Sequence, residues 1–379
     1  FRGLFLFKIF INSKMNNKSV RKKNWAVAFL SAALIVLSGC GGGENGTSTK
    51  EFPTFSLAWS EYPSWSVFGV ADVQGILNGK EGELGSVEKK WGVDIVLKEA
   101  EYDPCLAMYG AGQCDAVCIT NMDILSPAGG RPGVMVLPTS TSFGADACLV
   151  TSDIKSVQDL KGKKVFGLEK SVSEYCFVRN LELLGEKEGD YSFSNMDPGA
   201  AAVAMQQKNK EQEAIVVWNP FVISTLAKRD DVRVLFDSTK IPNEIIDSVV
   251  VAKESLAKEG GEAFACAIID AFYQVNAAIA DPAKREETLI AIGEKFANVT
   301  LKDMEKVVKQ TKFYGTADEG LAILNGSDLP QIMNRVVDFC ASHGIVEAKP
   351  DLAYGAKGAN AAVRFDASYI QKVKEGSSK

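Results

Sequence analysis

Short apolar runs alternate with amphipathic stretches along most of the chain after residue 52. The runs have the length and composition of buried strands, and the stretches between most of them carry the apolar spacing of helices. This alternation is typical of an α/β fold, which is the fold class we predict. Candidate strands cover residues 55–59, 93–97, 116–120, 134–137, 147–150, 164–167, 214–218, 232–236 and 248–252. Residues 254–296 are predicted to be almost wholly helical, and residues 366–374 to form a short final helix.

An α–β unit recurs in the pattern. Tyr102-Asp103-Pro104 precedes the strand at 116–120, and Met196-Asp197-Pro198 precedes the strand at 214–218. Asp-Pro is a good helix start because Asp caps exposed N–H groups and Pro suits the first helical position. The two copies suggest two similarly built lobes.

The N-terminal pattern is different. Basic residues precede an uncharged apolar stretch at 25–37, which ends in Leu37-Ser38-Gly39-Cys40. This arrangement resembles a bacterial lipoprotein signal, in which Cys40 is the lipidation site, and the alternatives are a simple secretory signal or a hydrophobic N-terminus without a signal function. Residues 1–39 are expected to combine an over-extended start before Met15 with the signal peptide, and residues 40–51 to form a lipid-anchored flexible tether. No later apolar run is expected to approach the roughly 20 residues of a membrane helix.

Composition narrows the possible functions. The chain is 46% hydrophobic, which suffices for a large core. From Cys40 onward it carries 35 basic and 48 acidic residues, so we expect no nucleic-acid partner. Seven cysteines follow Cys40, most of them expected to be buried free thiols. The single histidine, His343, lies far from them in sequence, so neither a metal site nor a cofactor is predicted.

Several segments resemble a known family. The motif at 154–165 (Ile-Lys-Ser-Val-Gln-Asp-Leu-Lys-Gly-Lys-Lys-Val), the segment 112–116, the segment 142–146 and Val217-Trp218-Asn219-Pro220 are similar to solute-binding proteins of ABC importers. The likeness covers roughly residues 52–313 and is to the SsuA-like group that handles nitrate, taurine, alkanesulfonates and thiamine precursors. It implies a two-lobed periplasmic-binding-protein type II fold with two crossover strands and a hinge. Lobe one would comprise 52–145 and 250–379, and lobe two 146–249.

The resemblance also implies partners and a location. A small-molecule solute would be bound between the lobes and passed to an ABC permease with its ATPase. The protein would be an extracytoplasmic monomer, attached to the membrane through its lipid anchor, and not an enzyme.

Ligand sites in such folds collect at the carboxyl ends of strands, in the crevice between the lobes. This placement selects the loops at 59–65, 102–103, 120–123, 138–146 and 171–175, faced by residues 197 and 218–219. The predicted ligand-binding residues are Trp59, Glu61, Tyr62, Trp65, Asp103, Asn121, Thr139, Ser140, Ser142, Asp146, Ser171, Ser173, Glu174, Asp197, Trp218 and Asn219.

Each candidate has a structural alternative. The aromatic residues at 59, 62 and 65 are suited to packing inside a lobe as well as to contacting a ligand. Ser171-Val172-Ser173-Glu174 has the sequence of a capping box. The aspartates at 103 and 197 suit helix caps, and Glu244 and Asp247 suit either surface charges or hinge contacts.

Aromatic residues beside carboxylates in these loops favour a nitrogenous, cationic ligand, such as a pyrimidine thiamine precursor. A sulfonate held by backbone N–H groups is the runner-up. An enzyme on the same fold, resembling thiamine-pyrimidine synthases, and a surface lipoprotein without transport function remain as alternative functions.

Overall fold

The computed structural model describes residues 52–355 and 360–376, so the predicted signal peptide, Cys40 and the predicted tether lie outside the described residues. The described strands are β1 (Thr54–Trp59), β2 (Asp94–Glu99), β3 (Ala116–Thr120), β4 (Gly133–Ser142), β5 (Asp146–Thr151), β6 (Lys164–Gly167), β7 (Ser192–Asn195), β8 (Ala214–Trp218), β9 (Val232–Asp237), β10 (Ile246–Ala252), β11 (Thr311–Phe313), β12 (Leu352–Tyr354) and β13 (Val363–Phe365).

The helices connect and cover these strands. They are α1 (Ser66–Val73), α2 (Ser86–Trp91), α3 (Tyr102–Gly110), α4 (Leu125–Ala128), α5 (Val172–Leu183), α6 (Pro198–Gln206), α7 (Phe221–Lys228), α8 (Lys253–Leu256), α9 (Gly261–Ala280), α10 (Arg285–Lys295), α11 (Leu301–Gln310), α12 (Ala317–Leu324), α13 (Leu329–Ser342) and α14 (Ser368–Gly376). Every predicted strand overlaps an observed strand, and the predicted α/β class is confirmed.

The strands form two sheets. The larger sheet has the order β12-β13-β4-β10-β3-β1-β2, with β11 paired to β4, and the smaller has the order β7-β6-β8-β5-β9. Within the larger sheet β1, β2 and β3 are parallel, whereas β10 runs antiparallel between β3 and β4. The carboxyl ends of the parallel strands therefore meet at one edge of the sheet.

The chain passes between the sheets twice, at residues 143–145 and at residues 238–245. Gly144 has a φ of 97° in the first passage, a conformation that a side chain would strain. Hydrogen bonds join the two passages: the Ser142 and Ser238 hydroxyls are 2.7 Å apart, and the Gly144 amide donates to Ser238 Oγ at 2.7 Å. The residue bounds of the two lobes stay a prediction.

Helix α9 contains a longer apolar run than expected, because no apolar run after the N-terminal one was expected to approach the length of a membrane helix. It is 20 residues long and apolar enough, by length and composition, to cross a membrane. However, more than half of it is buried, and it packs against α1, α2, α10 and α14. Phe264 on this helix stacks on Phe55 of β1 at 4.6 Å between ring centroids. These contacts identify α9 as a core helix, since a core helix passes the same test of length and composition.

The cysteines of the described residues are all buried with free thiols. Burial raises the pKa of each thiol, for example to about 11 at Cys114 and about 12 at Cys105, so little thiolate forms at neutral pH. The expectation of buried free thiols is confirmed. The seven are Cys105, Cys114, Cys118, Cys148, Cys176, Cys266 and Cys340.

We therefore expect a soluble form that starts at Gly41 to resist thiol reagents while folded. Native protein should show almost no reaction with Ellman's reagent, and denatured protein should release seven equivalents, matching the seven buried thiols. A full complement of thiols in the native titration would contradict the burial, and fewer than seven after denaturation would reveal a disulfide.

Candidate functional site

A cavity of about 220 Å³ lies between the two sheets. Loops at the carboxyl ends of β1, β2, β3, β6 and β8 supply most of its lining, as expected for an α/β fold. The segments that connect the sheets supply the rest. The lining residues are Ser60, Glu61, Tyr62, Trp65, Tyr102, Asp103, Leu106, Thr120, Asp123, Asp146, Leu168, Glu169, Lys170, Ser171, Val172, Trp218, Ile245 and Asp247.

One wall of the cavity is aromatic. The Trp65 and Tyr102 rings are stacked, with centroids 5.4 Å apart and an interplanar angle of 17°. Tyr62 packs against Trp65 at 4.8 Å, and Trp218 enters from the smaller sheet. Trp65 is 3% exposed, and its indole N–H is buried without a hydrogen-bond partner. The wall thus offers ring faces and one unused donor.

Asp123 is held by neighbouring hydroxyls. Its Oδ2 accepts hydrogen bonds of 2.7 Å from the Tyr102 and Thr120 side chains, and its amide donates to Thr120 Oγ1 at 3.0 Å. Burial raises the pKa of Asp123 above its ordinary value, although the two hydroxyl donors work in the opposite direction. The carboxyl group is therefore fixed in position but costly to keep charged.

Asp247 lies between two strands of the larger sheet. The register pairs it with Thr120 of β3 and with Ser140 of β4, and the Ser140 hydroxyl donates to its Oδ2. Ser140 is also 2.8 Å from Ser64 Oγ, so the loop after β1 supports this position. Burial raises the pKa of Asp247 well above its ordinary value, and the nearby Asp146 charge raises it further.

Asp146 begins β5, directly after the first passage between the sheets, and is paired with Trp218 of β8. It is 2% exposed, and its Oδ1 has no hydrogen-bond partner. Burial raises the pKa of Asp146 to about 6; a hydrogen bond from the Ser142 hydroxyl works in the opposite direction, and the Asp123 charge adds to the rise. The Oδ1 atom has lost its hydration without gaining a hydrogen bond in exchange.

Negative charge dominates the lining. Its acidic side chains are Glu61, Asp103, Asp123, Asp146, Glu169 and Asp247, whereas Lys170, an exposed residue, is the one basic side chain among the lining residues described. Such a site attracts cations and repels anions.

The structure brings seven of the predicted ligand-binding residues to this cavity. They are Glu61, Tyr62, Trp65, Asp103, Asp146, Ser171 and Trp218. Asp103 lies inside the first turn of α3 and does not cap it, because that helix begins at Tyr102. Ligand contact by these residues stays a prediction.

The other nine predicted residues are not among the lining residues. Trp59 is 2% exposed, and its ring packs against Gly69 of α1 in the core beside the larger sheet. Asn121 joins β3 to the second passage: its amide group donates to the Glu244 carbonyl and accepts from the Ile246 amide. These two side chains serve packing and connection.

Three hydroxyl residues of β4 support the cavity from behind. Thr139 Oγ1 is 2.9 Å from Ser64 Oγ, and Ser140 contacts Asp247 as described above. Ser142 Oγ accepts from the Asp146 amide at 3.1 Å. They position lining residues without reaching the cavity themselves.

The capping motif at the start of α5 is modified. Ser171 Oγ accepts from the Ser173 amide at 3.1 Å, as a helix cap does. Glu174 accepts from the Lys170 amide at 2.5 Å and not from the amide of Ser171, so the reciprocal half of a capping box is displaced by one residue. Ser173 itself is fully buried.

The last two predicted residues have structural contacts. Asp197 caps α6, with Oδ1 accepting from the Ala200 amide at 2.8 Å. Asn219 is buried and donates to Gln310 Oε1 at 2.9 Å, which connects β8 to α11.

Sequence reasoning left out three lining residues that define the site. Tyr102 and Asp123 fall within the selected loops but were not among the predicted ligand-binding residues, and Asp247 was weighed as a surface charge or hinge contact. A signal for Asp247 was present, because it is a lone acidic residue in the apolar stretch 245–252.

A second cluster of titratable side chains, two glutamates and one histidine, lies away from the cavity lining. His343 ends α13, where its Nδ1 is 2.9 Å from the Phe339 carbonyl oxygen and its Nε2 is 2.8 Å from Glu188 Oε1. Glu174, Glu188 and His343 each have one side-chain atom that could bind a metal ion, and these three atoms lie within 4.8 Å of one another. The His343–Glu188 contact and the helix end account for the position of the imidazole.

Known proteins resemble the chain in sequence and in fold. No protein-family model matches it. A protein of Escherichia coli (strain K12) named for binding aliphatic sulfonates is 31% identical over 140 residues, which are 37% of this chain and 42% of that relative. The match thus spans less than half of the relative's length.

Two solved structures share the architecture. The periplasmic aliphatic sulphonate binding protein SsuA of Escherichia coli has a TM-score of 0.63 at 21% identity, over 78% of this chain and 94% of that one. A Candida albicans gene product described as having the generic periplasmic binding protein fold has a TM-score of 0.56 at 14% identity, over 85% and 95% of the two chains. The predicted fold and the predicted resemblance to SsuA-like binding proteins are confirmed.

The buried carboxyl group of Asp146 leads to a prediction about stability. Its folded-state pKa lies above the ordinary value, so the stability it contributes is complete below about pH 4 and is lost as pH rises through about 6. At pH 7.5 the charged group costs about 3 kcal/mol relative to the neutral one. Asp146→Asn should therefore raise the melting temperature of the empty protein by several degrees at pH 7.5 and change it little at pH 4.

Thermal melts at both pH values test this expectation. Asp153→Asn, in the exposed turn after β5, is the matched control and should leave the melting temperature unchanged at both. Equal stabilisation by Asp146→Asn at pH 4 and pH 7.5 would show that the charge is not the cause.

Proposed function

We propose that the protein is the extracytoplasmic solute-binding component of an ABC importer. The observation that carries the proposal is the cavity between two sheets that are joined by two passages of the chain. This arrangement lets two halves close on a solute and open again. The sulfonate-binding names of the relatives support the same role and favour a binding protein over an enzyme.

The second passage between the sheets has the contacts of a hinge. Glu244, in this passage, accepts from Tyr175 at 2.6 Å and from Arg179 at 2.9 Å, both on α5. Arg335 of α13 reaches the same carboxylate at 3.2 Å. Burial opposes its charge, but these donors hold the pKa of Glu244 below its ordinary value. Glu244 thus stays ionised and ties the two sides together at the passage.

In this mechanism the open form admits the solute and the closed form buries it against the aromatic wall. The permease would then distinguish the closed shape from the open one, because closure changes the relative position of the two halves. A permease and an ATPase are the partners of this proposal.

Native mass spectrometry of the soluble form starting at Gly41 tests the binding role. We expect the purified protein to carry a small molecule that is lost on unfolding and refolding. Its mass would distinguish an amine from a sulfonate. An empty protein, with no shift in thermal melts against a metabolite panel, would instead support a surface lipoprotein without transport function.

Lipid attachment at Cys40 belongs to the same proposal. It is supported by the basic, apolar and small-residue order of residues 18–40. Cys40→Ala in the full chain should move the protein from the membrane fraction to the soluble fraction and abolish incorporation of labelled palmitate. Ser48→Ala, in the proposed tether, is the control and should leave both unchanged. Persistent labelling of the Cys40→Ala variant would refute this lipidation site.

A further inference from the structure

We propose that Asp123, Asp146 and Asp247 form a cation subsite, which binds the ammonium or amidinium group of a small organic solute whose flat apolar body lies against Trp65 and Tyr102. This inference rests on the proposed solute-binding function and names the chemical class of the solute.

Asp146 lines the cavity, and one oxygen of its buried carboxyl group, Oδ1, accepts no hydrogen bond. Asp123 and Asp247 each accept a hydrogen bond from at least one hydroxyl. A buried carboxylate oxygen without a donor loses its hydration without compensation. A charged N–H donor from the solute would supply the missing hydrogen bond and the opposite charge together.

Three buried carboxyl groups lie close together at the cavity. The Asp146 charge raises the pKa of Asp247, and the Asp123 charge raises the pKa of both. Among the described lining residues Lys170 is the one base, and it is exposed. The three aspartates are 8%, 2% and 2% exposed in chain order, so solvent screens them little. A solute cation would relieve this mutual repulsion.

The aromatic wall lies beside Asp123. Trp65 and Tyr102 stack on each other and line the cavity, and the Tyr102 hydroxyl donates to Asp123 Oδ2 at 2.7 Å. A cation attached to a flat body would meet ring faces and carboxylates at the same time. Both contacts are favourable, since ring faces attract cations and bury apolar area.

Two backbone amides at the start of α5, where a sulfonate could bind, are already engaged by side chains. At the start of α5 the Ser173 amide donates to Ser171, and the Lys170 amide donates to Glu174. A sulfonate in this cavity would also face the six acidic lining residues, which repel it. The acidic lining of the cavity is therefore unfavourable for binding an anion.

Calorimetry with probes that share one ring body tests the inference. The cations are benzylamine and benzamidine, the neutral analogue is benzyl alcohol, and the anion is phenylmethanesulfonate, all titrated into the soluble form at pH 7.5. We expect at least one cation to bind about tenfold or more tighter than the alcohol, and the sulfonate to give no binding.

Asp146→Asn keeps the shape of the side chain and removes its charge. It should weaken binding of the cation by roughly 30-fold or more, because it takes away one partner of a buried charge pair. Its binding of benzyl alcohol should be unchanged, which separates lost charge from lost structure. Asp153→Asn is the control and should bind the cation like the wild type.

The outcomes are distinguishable. Tighter binding of phenylmethanesulfonate than of both cations, or no binding of either cation, would overturn the cation subsite. So would an Asp146→Asn variant that binds the cation as well as the wild type. A bound anionic solute in native mass spectrometry would likewise overturn it while supporting the solute-binding function, which fails only if no solute is found by either method.

Discussion

The two passages of the chain between its sheets set the position of everything in the cavity. They are joined by the Ser142–Ser238 contact and by the Gly144 amide, which hold the two passages side by side. Asp146 is the first residue of β5 after one passage, and Asp247 is the second residue of β10 after the other. Because the passages are tied together, the two carboxyl groups are brought to the same cavity by backbone geometry.

The strands then add the remaining groups. Parallel β1, β2 and β3 end at one edge of the larger sheet, and the loops that follow them carry the aromatic wall and Asp123. The sheet registers place Thr120 and Ser140 beside Asp247, and Trp218 beside Asp146. Each carboxyl group therefore lies next to a residue from a neighbouring strand, so its position depends on the pairing of the whole sheet.

The larger elements were predictable from the sequence because they are apolar and periodic. Buried strands such as β3 and β8, and the core helix α9, are set by local patterns that tertiary contacts reinforce. The strands β7, β11, β12 and β13 were not predicted, since each has only three or four residues and is stabilised by pairing with another strand. The polar end of β4 was missed for a similar reason, because its Thr and Ser side chains are buried through hydrogen bonds.

The site was less predictable than the fold. Sequence indicates which loops reach the cleft, but not which side chain of a loop points into it. Trp59 and Trp65 are six residues apart and equally large, yet Trp59 ends a strand and faces the core, while Trp65 precedes α1 and lines the cavity. Likewise, the sequence alone does not distinguish Asp247 from a hinge residue. The sheet register is what shows that it lies between two strands. Contacts of this kind arise from long-range pairing, which single-sequence patterns do not contain.

Burial of three aspartates in the empty cavity has a consequence for how the protein works. Burial raises the pKa of each carboxyl group, so each one that stays charged in the unliganded protein does so at the cost of folding stability. Sites that hold buried charged groups at the expense of folding stability are commonly functional, because binding of the partner offsets the lost free energy. A cationic solute would gain affinity in this way, and its gain would be largest in the closed form, where water is excluded and charges interact most strongly. The same desolvation that weakens the empty protein would thus couple solute binding to closure.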